Sequence, residues 1–354
     1  MAAPAIHQML PNYWLGDAIG NTVTEMRKLL VSWGYQSEVY ADIVHGELSA
    51  LPYREFALED PEAWVIYHYS TGSAVNGYAL ENVKNLILMY HNVTPAEFFE
   101  PYDVRAAESC RAGRALLPRF APKTRLAMAV SPYNAGELEA LRFREIEVVP
   151  CVMNLAARRP AGALPYGDGK TNILFVGRMA PNKGHGDLLR AFHVYRRHLN
   201  PNSRLVIVGG YSPGARYFES LKAFVKAYNI PDVEFTGFVS DERLGGYYAA
   251  AAVFLCLSRH EGFCVPLIEA MGAGVPVAAY PVTGVAGTLN GAGMAIDPAA
   301  SPAEIAEALH ELVTNQPLRA KLIEGQRARA ADFGYEKTSA LFRRVIERVV
   351  EGRA

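Results

Sequence analysis

The sequence has few cysteines, almost no net charge and no long apolar run, and each shortage excludes a class of protein. Its four cysteines form no CxxC pair, so their spacing indicates neither a disulfide framework nor a zinc site. Lys plus Arg number 35 against 36 Asp plus Glu, so no overall basic field would attract nucleic acid. The longest apolar stretch, Tyr247–Leu257, is too short to span a bilayer, and the first residues lack a signal-peptide pattern. These absences predict a cytoplasmic protein that does not bind nucleic acid.

What the sequence does contain is typical of a globular protein with two domains. It has 354 residues, of which 50% are hydrophobic and 20% charged, and domains usually contain roughly 100 to 200 residues. A cut near residue 155 leaves 12 basic and 18 acidic residues before it, and 23 basic and 18 acidic residues after it. The weakly positive second half suits an anionic ligand such as a nucleotide, although ordinary surface variation explains the charge difference equally well.

Short apolar runs alternate with segments of helical period, which is the pattern of a parallel sheet covered by helices. In the second half the runs predict five strands, at Asn172–Val176, Arg204–Val208, Val233–Phe238, Val253–Leu257 and Val275–Ala279. The first half repeats the pattern less cleanly, and there we predict a helix capped by Asn21 and strands at Trp64–Tyr67, Asn85–Tyr90, Arg125–Val130 and Ile146–Val149. Both halves are therefore expected to be α/β domains.

The domain boundaries follow from composition. Residues 156–170 are rich in proline and glycine and have no period, so we predict a linker between a domain at 1–155 and another at 171–332. The remaining residues, 333–354, have one apolar helical face and are expected to form a helix that docks on the rest of the protein.

The first informative motif follows the predicted strand at 172–176. No GxGxxG is present, which argues against a dinucleotide-binding dehydrogenase. Instead, the strand runs into a loop between Gly177 and Gly184 that presents Arg178 and Lys183. In doubly wound sheets ligands bind at the carboxyl ends of strands, and two cations at this spacing would clamp a diphosphate. An ordinary solvated loop is the alternative interpretation.

The second motif follows the predicted strand that ends at Leu257. Glu261 lies in the loop, Pro266 opens a helix, and Glu269 follows about one turn later. The backbone N–H groups from Phe263 through Cys264 to Val265 would form an anion site at the start of this helix. The alternative is a loop acid and a helix acid placed favourably for the helix dipole.

Together the two motifs, Gly-Arg-x4-Lys-Gly and then Glu-Gly-Phe-x-x-Pro-x-x-Glu, closely resemble the C-terminal domain of retaining glycosyltransferases of family 4, among the group 1 glycosyl transferases. The resemblance covers about residues 170–300. It implies an α/β protein of the GT-B fold, with two Rossmann-like domains facing across a cleft and a C-terminal helix that crosses back to the first domain. It also implies that the second domain holds a nucleotide-sugar donor and the first an acceptor.

By position, the resemblance assigns roles to the residues of both motifs. Glu261 would lie beside the transferred sugar as a catalytic residue, and the donor would be bound by Arg178, Lys183, Phe263, Cys264, Val265 and Glu269. One position departs from the family pattern, because Ala286-Gly287 stands where many relatives have a Pro-Glu pair. The carboxylate that this pair gives to those relatives is therefore absent from this motif.

The first half offers weaker matches to the same family. His91, at the end of a predicted strand, would be catalytic, while His68 would line the acceptor side; a structural histidine is the alternative in both cases. Gly16 and Gly20 match a glycine loop near the donor phosphate, or form a simple turn. The basic segment Arg105–Arg125 would make weak peripheral contact with the inner face of a membrane, or is a solvated basic helix.

The resemblance implies a retaining hexosyltransferase that needs no metal and no cofactor. The segments around His91 and Glu261 are most similar to bacterial enzymes of polysaccharide assembly, many of them mannosyltransferases, which favours GDP-mannose as donor and a glycan or lipid-linked acceptor. Alternatives are a sugar phosphorylase or a nucleotide-sugar epimerase of the same fold, or a non-catalytic protein that binds nucleotide sugars or glycans.

Overall fold

The computed structural model describes residues 4–14, 16–154, 166–350 and 352. It divides the chain into two compact units. The first unit consists of Met1–Glu97, Val104–Asn154 and Phe333–Ala354, and the second consists of Phe98–Asp103 and Leu155–Asp332. Most of the predicted linker, residues 156–165, lies outside the described residues. The remaining linker residues are anchored to the second unit, where the Arg204 guanidinium lies 4.0 Å from the centre of the Tyr166 ring.

The first unit is built on a seven-stranded parallel sheet. In chain order its strands are β1 (Ile6–Tyr13), β2 (Val39–Val44), β3 (Leu51–Pro52), β4 (Trp64–Tyr69), β5 (Asn85–Tyr90), β6 (Thr124–Ala129) and β7 (Ile146–Val148). Their spatial order is β3-β2-β1-β4-β5-β6-β7, so the winding direction changes between β1 and β4. In sheets of this kind the carboxyl ends of the strands on either side of such a point form the ligand-binding crevice.

Helices connect these strands, and the last helix of the chain also belongs to this unit. They are α1 (Ala18–Ser32), α2 (Phe56–Glu59), α3 (Ala74–Asn82), α4 (Val104–Leu116), α5 (Pro132–Ala140) and α13 (Tyr335–Val350). The strands β1, β4 and β5 bury nearly every side chain on both faces, which is why β4 and β5 are almost continuous apolar runs and not alternating ones.

The second unit contains a six-stranded parallel sheet of the same type. Its strands are β8 (Thr171–Val176), β9 (Ser203–Val208), β10 (Val233–Gly237), β11 (Val253–Cys256), β12 (Val277–Ala279) and β13 (Met294–Ala295), in the order β10-β9-β8-β11-β12-β13. Its helices are α6 (His185–His198), α7 (Arg216–Ala227), α8 (Asp241–Ala250), α9 (Val265–Gly272), α10 (Gly284–Leu289), α11 (Pro302–Thr314) and α12 (Gln316–Ala331). The winding direction changes between β8 and β11, the two strands that precede the predicted motifs.

The prediction of two Rossmann-like α/β domains is confirmed, but the strands β1, β2 and β3 of the first unit and β13 of the second were missed. β1 and β2 contain His7, Gln8 and Asp42, and these polar residues interrupt the apolar signal. The prediction that Asn21 caps a helix was wrong. The helix α1 already begins at Ala18, and the Asn21 side chain instead accepts a hydrogen bond from the Gly16 N–H at 3.2 Å. Among the described residues no helix is long and apolar enough to cross a membrane.

The last helix, α13, packs on the first unit through its apolar face. Phe342 has no exposed surface, and its ring centre lies 5.4 Å from that of Trp33 at the end of α1. At the other end of α13, Arg348 donates a 2.7 Å hydrogen bond to the Glu147 carboxylate of β7. The helix α13 thus contacts the end of α1 and the strand β7, although both lie far from it in the sequence.

Replacing Phe342 with alanine should destabilise the first unit selectively. Truncating a fully buried phenylalanine costs about 3–5 kcal/mol because it leaves a cavity. All three tryptophans, at positions 14, 33 and 64, lie in this unit, so tryptophan fluorescence during urea unfolding measures its stability directly. Leu58→Ala is the control, since Leu58 is 84% exposed and should change the stability by less than about 0.5 kcal/mol. Equal midpoints for the two variants would contradict the docking of α13.

Candidate functional site

The loop after β8 is held in place by two glycines that no other residue can replace without a clash. Gly184 has a φ of 71°, and a Cβ there would lie 1.9 Å from the carbonyl oxygen of Leu257. A Cβ on Gly209, at the end of β9, would lie 2.1 Å from the carbonyl oxygen of Gly177. These close approaches fix the loop against the neighbouring strands, with Arg178 exposed and Lys183 turned inward.

Lys183 and Glu261, predicted from separate motifs, contact each other directly. The Lys183 Nζ lies 2.7 Å from both Glu261 carboxylate oxygens, and the two side chains are only 20% and 9% exposed. Burial disfavours the charge on Lys183, but the Glu261 carboxylate more than offsets burial, so the pKa of Lys183 is raised above its ordinary value. The structure therefore joins the loops after β8 and β11 through a charged pair.

Further hydrogen bonds hold the Glu261 loop from both sides. Buried Asn182 donates to the His260 carbonyl at 2.9 Å and accepts from the Arg259 N–H at 2.8 Å. On the opposite side the Glu261 N–H donates to the Thr283 hydroxyl at 3.0 Å, and the Gly284 N–H donates to the Glu261 carbonyl at 2.9 Å. The carboxylate of Glu261 is thus carried by a backbone segment that is fixed at each end.

The helix α9 begins directly after this loop. Its first residue follows Cys264, which adopts a left-handed conformation with φ of 75° and is buried, as are Phe263 and Val265. Glu269 lies inside the helix and is buried, and the Tyr248 hydroxyl donates to its Oε2 at 2.7 Å. The predicted anion-binding amides therefore lie at the start of the helix that carries Glu269, whose carboxylate is oriented by Tyr248.

The position that departs from the family pattern lies in the short helix α10. The carbonyl of Gly287 accepts a 2.7 Å hydrogen bond from Arg329 of α12, and the neighbouring Thr288 carbonyl accepts another at 3.1 Å. No carboxylate is supplied by this helix, whose six residues are GVAGTL.

In the first unit, His91 and His68 belong to one chain of hydrogen bonds. The His91 Nε2 and the His68 Nδ1 are 2.9 Å apart, and the His68 Nε2 lies 3.0 Å from the Oε1 of Gln8 on β1. Burial lowers the pKa of His91 to about 3, and burial together with the neighbouring His91 lowers the pKa of His68 well below its ordinary value. Both rings are therefore neutral at physiological pH.

This arrangement corrects the prediction that His68 lines the acceptor side. His68 lies inside β4 with no exposed surface, and both of its ring nitrogens are occupied by Gln8 and His91. His91 follows β5 and, unlike His68, is partly exposed.

A polar cluster fixes the turn that follows His91. Asn92 adopts a left-handed φ of 82°, which is rare outside glycine, and its Nδ2 donates to the Glu137 carboxylate at 2.6 Å and to the Asn134 Oδ1 at 3.0 Å. The Tyr90 hydroxyl donates to the same carboxylate at 2.9 Å. This cluster was not predicted, because its members are far apart in the sequence and only the sheet brings them together.

The predicted glycine loop in the first unit has a structural explanation at each glycine. Gly16 adopts a φ of 86°, which favours glycine. Gly20 lies in the first turn of α1, where a Cβ would lie 1.8 Å from the Trp14 carbonyl oxygen. The close approach of α1 to the end of β1 therefore depends on Gly20.

Comparison with known proteins finds similarity to one protein family in the second half of the chain. Residues 163–329, which run from before β8 into α12 and contain both motifs, match the family model described as glycosyl transferases group 1. The O-antigen chain mannosyltransferase B of Escherichia coli is 25% identical over 254 residues, which cover 67% of this chain and 64% of that protein. The match thus spans less than two thirds of the length of this relative.

Two solved structures share the fold of the whole chain. Sucrose-phosphate synthase from Thermosynechococcus elongatus superimposes with a TM-score of 0.76 at 20% identity, covering 99% of this chain and 100% of that one. Anabaena HepE in complex with UDP-glucose gives a TM-score of 0.74 at 15% identity, covering 97% and 99%. The chain therefore has the GT-B fold, and the residues that match the group 1 model lie in its second half.

A double-mutant cycle should detect the contact between Lys183 and Glu261. Lys183→Met or Glu261→Gln alone leaves one partly buried group without its partner, which should lower the free energy of unfolding by about 1.5–3 kcal/mol. The double variant should lose clearly less than the sum of the two single losses. Circular dichroism during urea unfolding follows both units, and tryptophan fluorescence checks that the first unit is unchanged. Strictly additive losses would show that the pair does not form.

Proposed function

We propose that the chain is a retaining glycosyltransferase that moves a hexose from a nucleoside diphosphate sugar to a glycan or lipid-linked acceptor. The observation that carries this proposal is the convergence of Lys183, Glu261 and the start of α9 at the carboxyl ends of β8 and β11, within the group 1 match. This edge of a doubly wound sheet is where nucleotides bind.

The donor diphosphate is proposed to bind the cations and amides of this edge. Two N–H groups of Lys183 serve the Glu261 oxygens, and an ammonium group has a third donor for a phosphate oxygen. Exposed Arg178 adds a planar fork, and the amides at the start of α9 add the positive end of a helix dipole. These groups stabilise the negative charge that develops on the leaving diphosphate, which is the main requirement of the reaction.

The two carboxylates take different roles in this proposal. Glu269, oriented by Tyr248, accepts hydrogen bonds from the ribose hydroxyls of the donor. Glu261 holds the Lys183 ammonium and lies beside the transferred sugar. The acceptor hydroxyl attacks from the face that the diphosphate leaves and passes its proton to the departing phosphate, so that the anomeric configuration is retained. His91 of the first unit takes part as a hydrogen-bonding catalytic residue.

The donor is proposed to be GDP-mannose, with UDP-glucose as the second choice. The first choice follows the sequence similarity to an O-antigen chain mannosyltransferase, and the second follows the fold shared with a protein solved in complex with UDP-glucose. We further propose that the enzyme acts in bacterial polysaccharide assembly in the cytoplasm, and that the segment Arg105–Arg125 touches the membrane surface. Within it, Arg114 lies 3.4 Å from Glu137, whereas Arg105, Arg119 and Arg125 are exposed.

Lys183→Ala should weaken the binding of the donor nucleotide about 10- to 100-fold, because a hydrogen bond to a charged group contributes about 1.5–3 kcal/mol. A thermal-shift screen with GDP, UDP, ADP and TDP and their sugar conjugates first selects the nucleotide. Calorimetry with that nucleotide then compares Lys183→Ala with Lys226→Ala, which removes the same charge from the exposed side of α7. Equal affinities in the two variants would overturn the assignment of Lys183.

Transfer should proceed in the presence of EDTA, because Arg178 and Lys183 supply the positive charge that a divalent ion gives to other glycosyltransferases. The rate of nucleotide release with the selected donor, measured with EDTA and with added Mg²⁺ or Mn²⁺, checks this. Activity that EDTA abolishes and either metal restores would contradict the proposal. Proton NMR of the first-formed product, which reads its anomeric configuration, tests retention separately.

A further inference from the structure

Two polar side chains lie in the middle of the first sheet, where the surrounding residues are apolar. Gln8 on β1 and His68 on β4 both have no exposed surface. Gln8 pairs in register with Ile66, and His68 pairs with Met89, two residues before His91. Because alternate residues of a strand share a face, Gln8, His68 and His91 lie on one face of three adjacent strands. Burial of such groups is costly unless their hydrogen bonds are satisfied, so their bonding pattern is constrained.

A hydrogen bond to the helix α1 fixes the orientation of the Gln8 amide. Its Nε2 donates to the carbonyl of Val23 at 2.9 Å, which leaves Oε1 facing the His68 Nε2 at 3.0 Å. The opposite orientation would place two oxygen acceptors against each other at the Val23 carbonyl. The Gln8 oxygen can only accept, so His68 must carry its proton on Nε2.

The state of His68 then determines that of His91. A neutral imidazole with its proton on Nε2 has an unprotonated Nδ1, which can only accept. The group 2.9 Å from this atom is the His91 Nε2, which must therefore carry a proton and donate. Burial keeps the pKa of His91 at about 3, so its remaining nitrogen, Nδ1, carries no proton. The left-handed turn at Asn92, held by Glu137, fixes the backbone on the other side of the ring.

We propose that Gln8 and His68 are positioning residues that hold His91 as a neutral ring with Nδ1 as a hydrogen-bond acceptor. His91 then receives a hydrogen bond from a hydroxyl group and offers none to a phosphate oxygen. The tautomer follows from the first unit alone, whereas its use in catalysis rests on the proposed function. In this proposal, hydrogen bonds link the Val23 carbonyl through Gln8 and His68 to His91, the ring that takes part in the reaction.

Nitrogen-15 NMR of histidine-labelled protein, without any donor, tests the tautomer directly. The nine histidines are assigned by their loss in single variants, beginning with His91→Asn. We expect His91 and His68 each to show one protonated Nε2 and one unprotonated Nδ1 at pH 7. A protonated Nδ1 on His91, or a doubly protonated ring, would overturn the proposal even if the protein transfers sugar.

Gln8→Leu tests whether the chain controls the reaction. It removes the acceptor that selects the His68 tautomer, so a signal from the Nδ1-protonated form of His91 should appear. The kcat with the selected donor should fall about 10-fold, the equivalent of one hydrogen bond, with its KM unchanged. Tyr67→Phe is the matched control, since Tyr67 lies on β4 next to His68 and the change removes a buried 3.0 Å hydrogen bond to Asn76 of α3 without touching His91.

The outcomes separate the two proposals. A changed His91 tautomer with an unchanged kcat would show that the tautomer does not matter for transfer, which overturns the positioning role. Equal losses of kcat in Gln8→Leu and Tyr67→Phe would reduce Gln8 to a structural residue. If the wild-type protein transfers no sugar from any donor, the proposed function fails, while the spectrum still decides the tautomer. A Gln8 variant that does not fold leaves the wild-type spectrum as the deciding measurement.

Discussion

The arrangement of the loops at the carboxyl ends of β8 and β11 depends on the contact between Lys183 and Glu261. A lysine and a glutamate this little exposed are stable only if each remains opposite the other, because an uncompensated buried charge is strongly destabilising. The loops after β8 and β11 must therefore keep one spacing, and Gly184, Asn182 and Thr283 serve that spacing by close packing or hydrogen bonds. The pair also places a cationic group beside an anionic one. In the proposed function, the ammonium group binds the diphosphate and the carboxylate lies beside the hydroxyl groups of the sugar.

In the first unit the buried polar groups are neutral, and hydrogen bonds rather than an ion pair hold them in place. Gln8, His68 and His91 form a line of hydrogen bonds across three strands, and a single carbonyl at one end sets the direction of every donor in it. Burial alone would give neutral histidines, but it would not choose between their two tautomers. The choice requires a partner that can accept but not donate, and a glutamine amide has such an atom only when its own nitrogen is already committed.

Sequence reasoning succeeded where the chemistry lies next to strong local signals. Lys183 and Glu261 each lie shortly after an apolar run and directly before a glycine, so their motifs could be found separately, although their contact could not. Gln8 was missed for the opposite reason. It interrupts the apolar pattern of β1, which hid the strand itself, and its function depends on a register with β4 that only the folded sheet defines. Glu137 was missed because its partners, Tyr90 and Asn92, lie on another element.

The division of the chain has a consequence for synthesis on the ribosome. The second unit is almost contiguous, so its sheet has all of its strands once residues up to 295 have emerged. The core of the first unit, by contrast, includes Phe342 of α13, although its own strands end at Val148. The contacts between α13 and the rest of the first unit can form only after residues 155–332 have been made, and contacts so distant in sequence form slowly. The unit that begins first is therefore completed last, and its unfinished face needs protection while the other half is made.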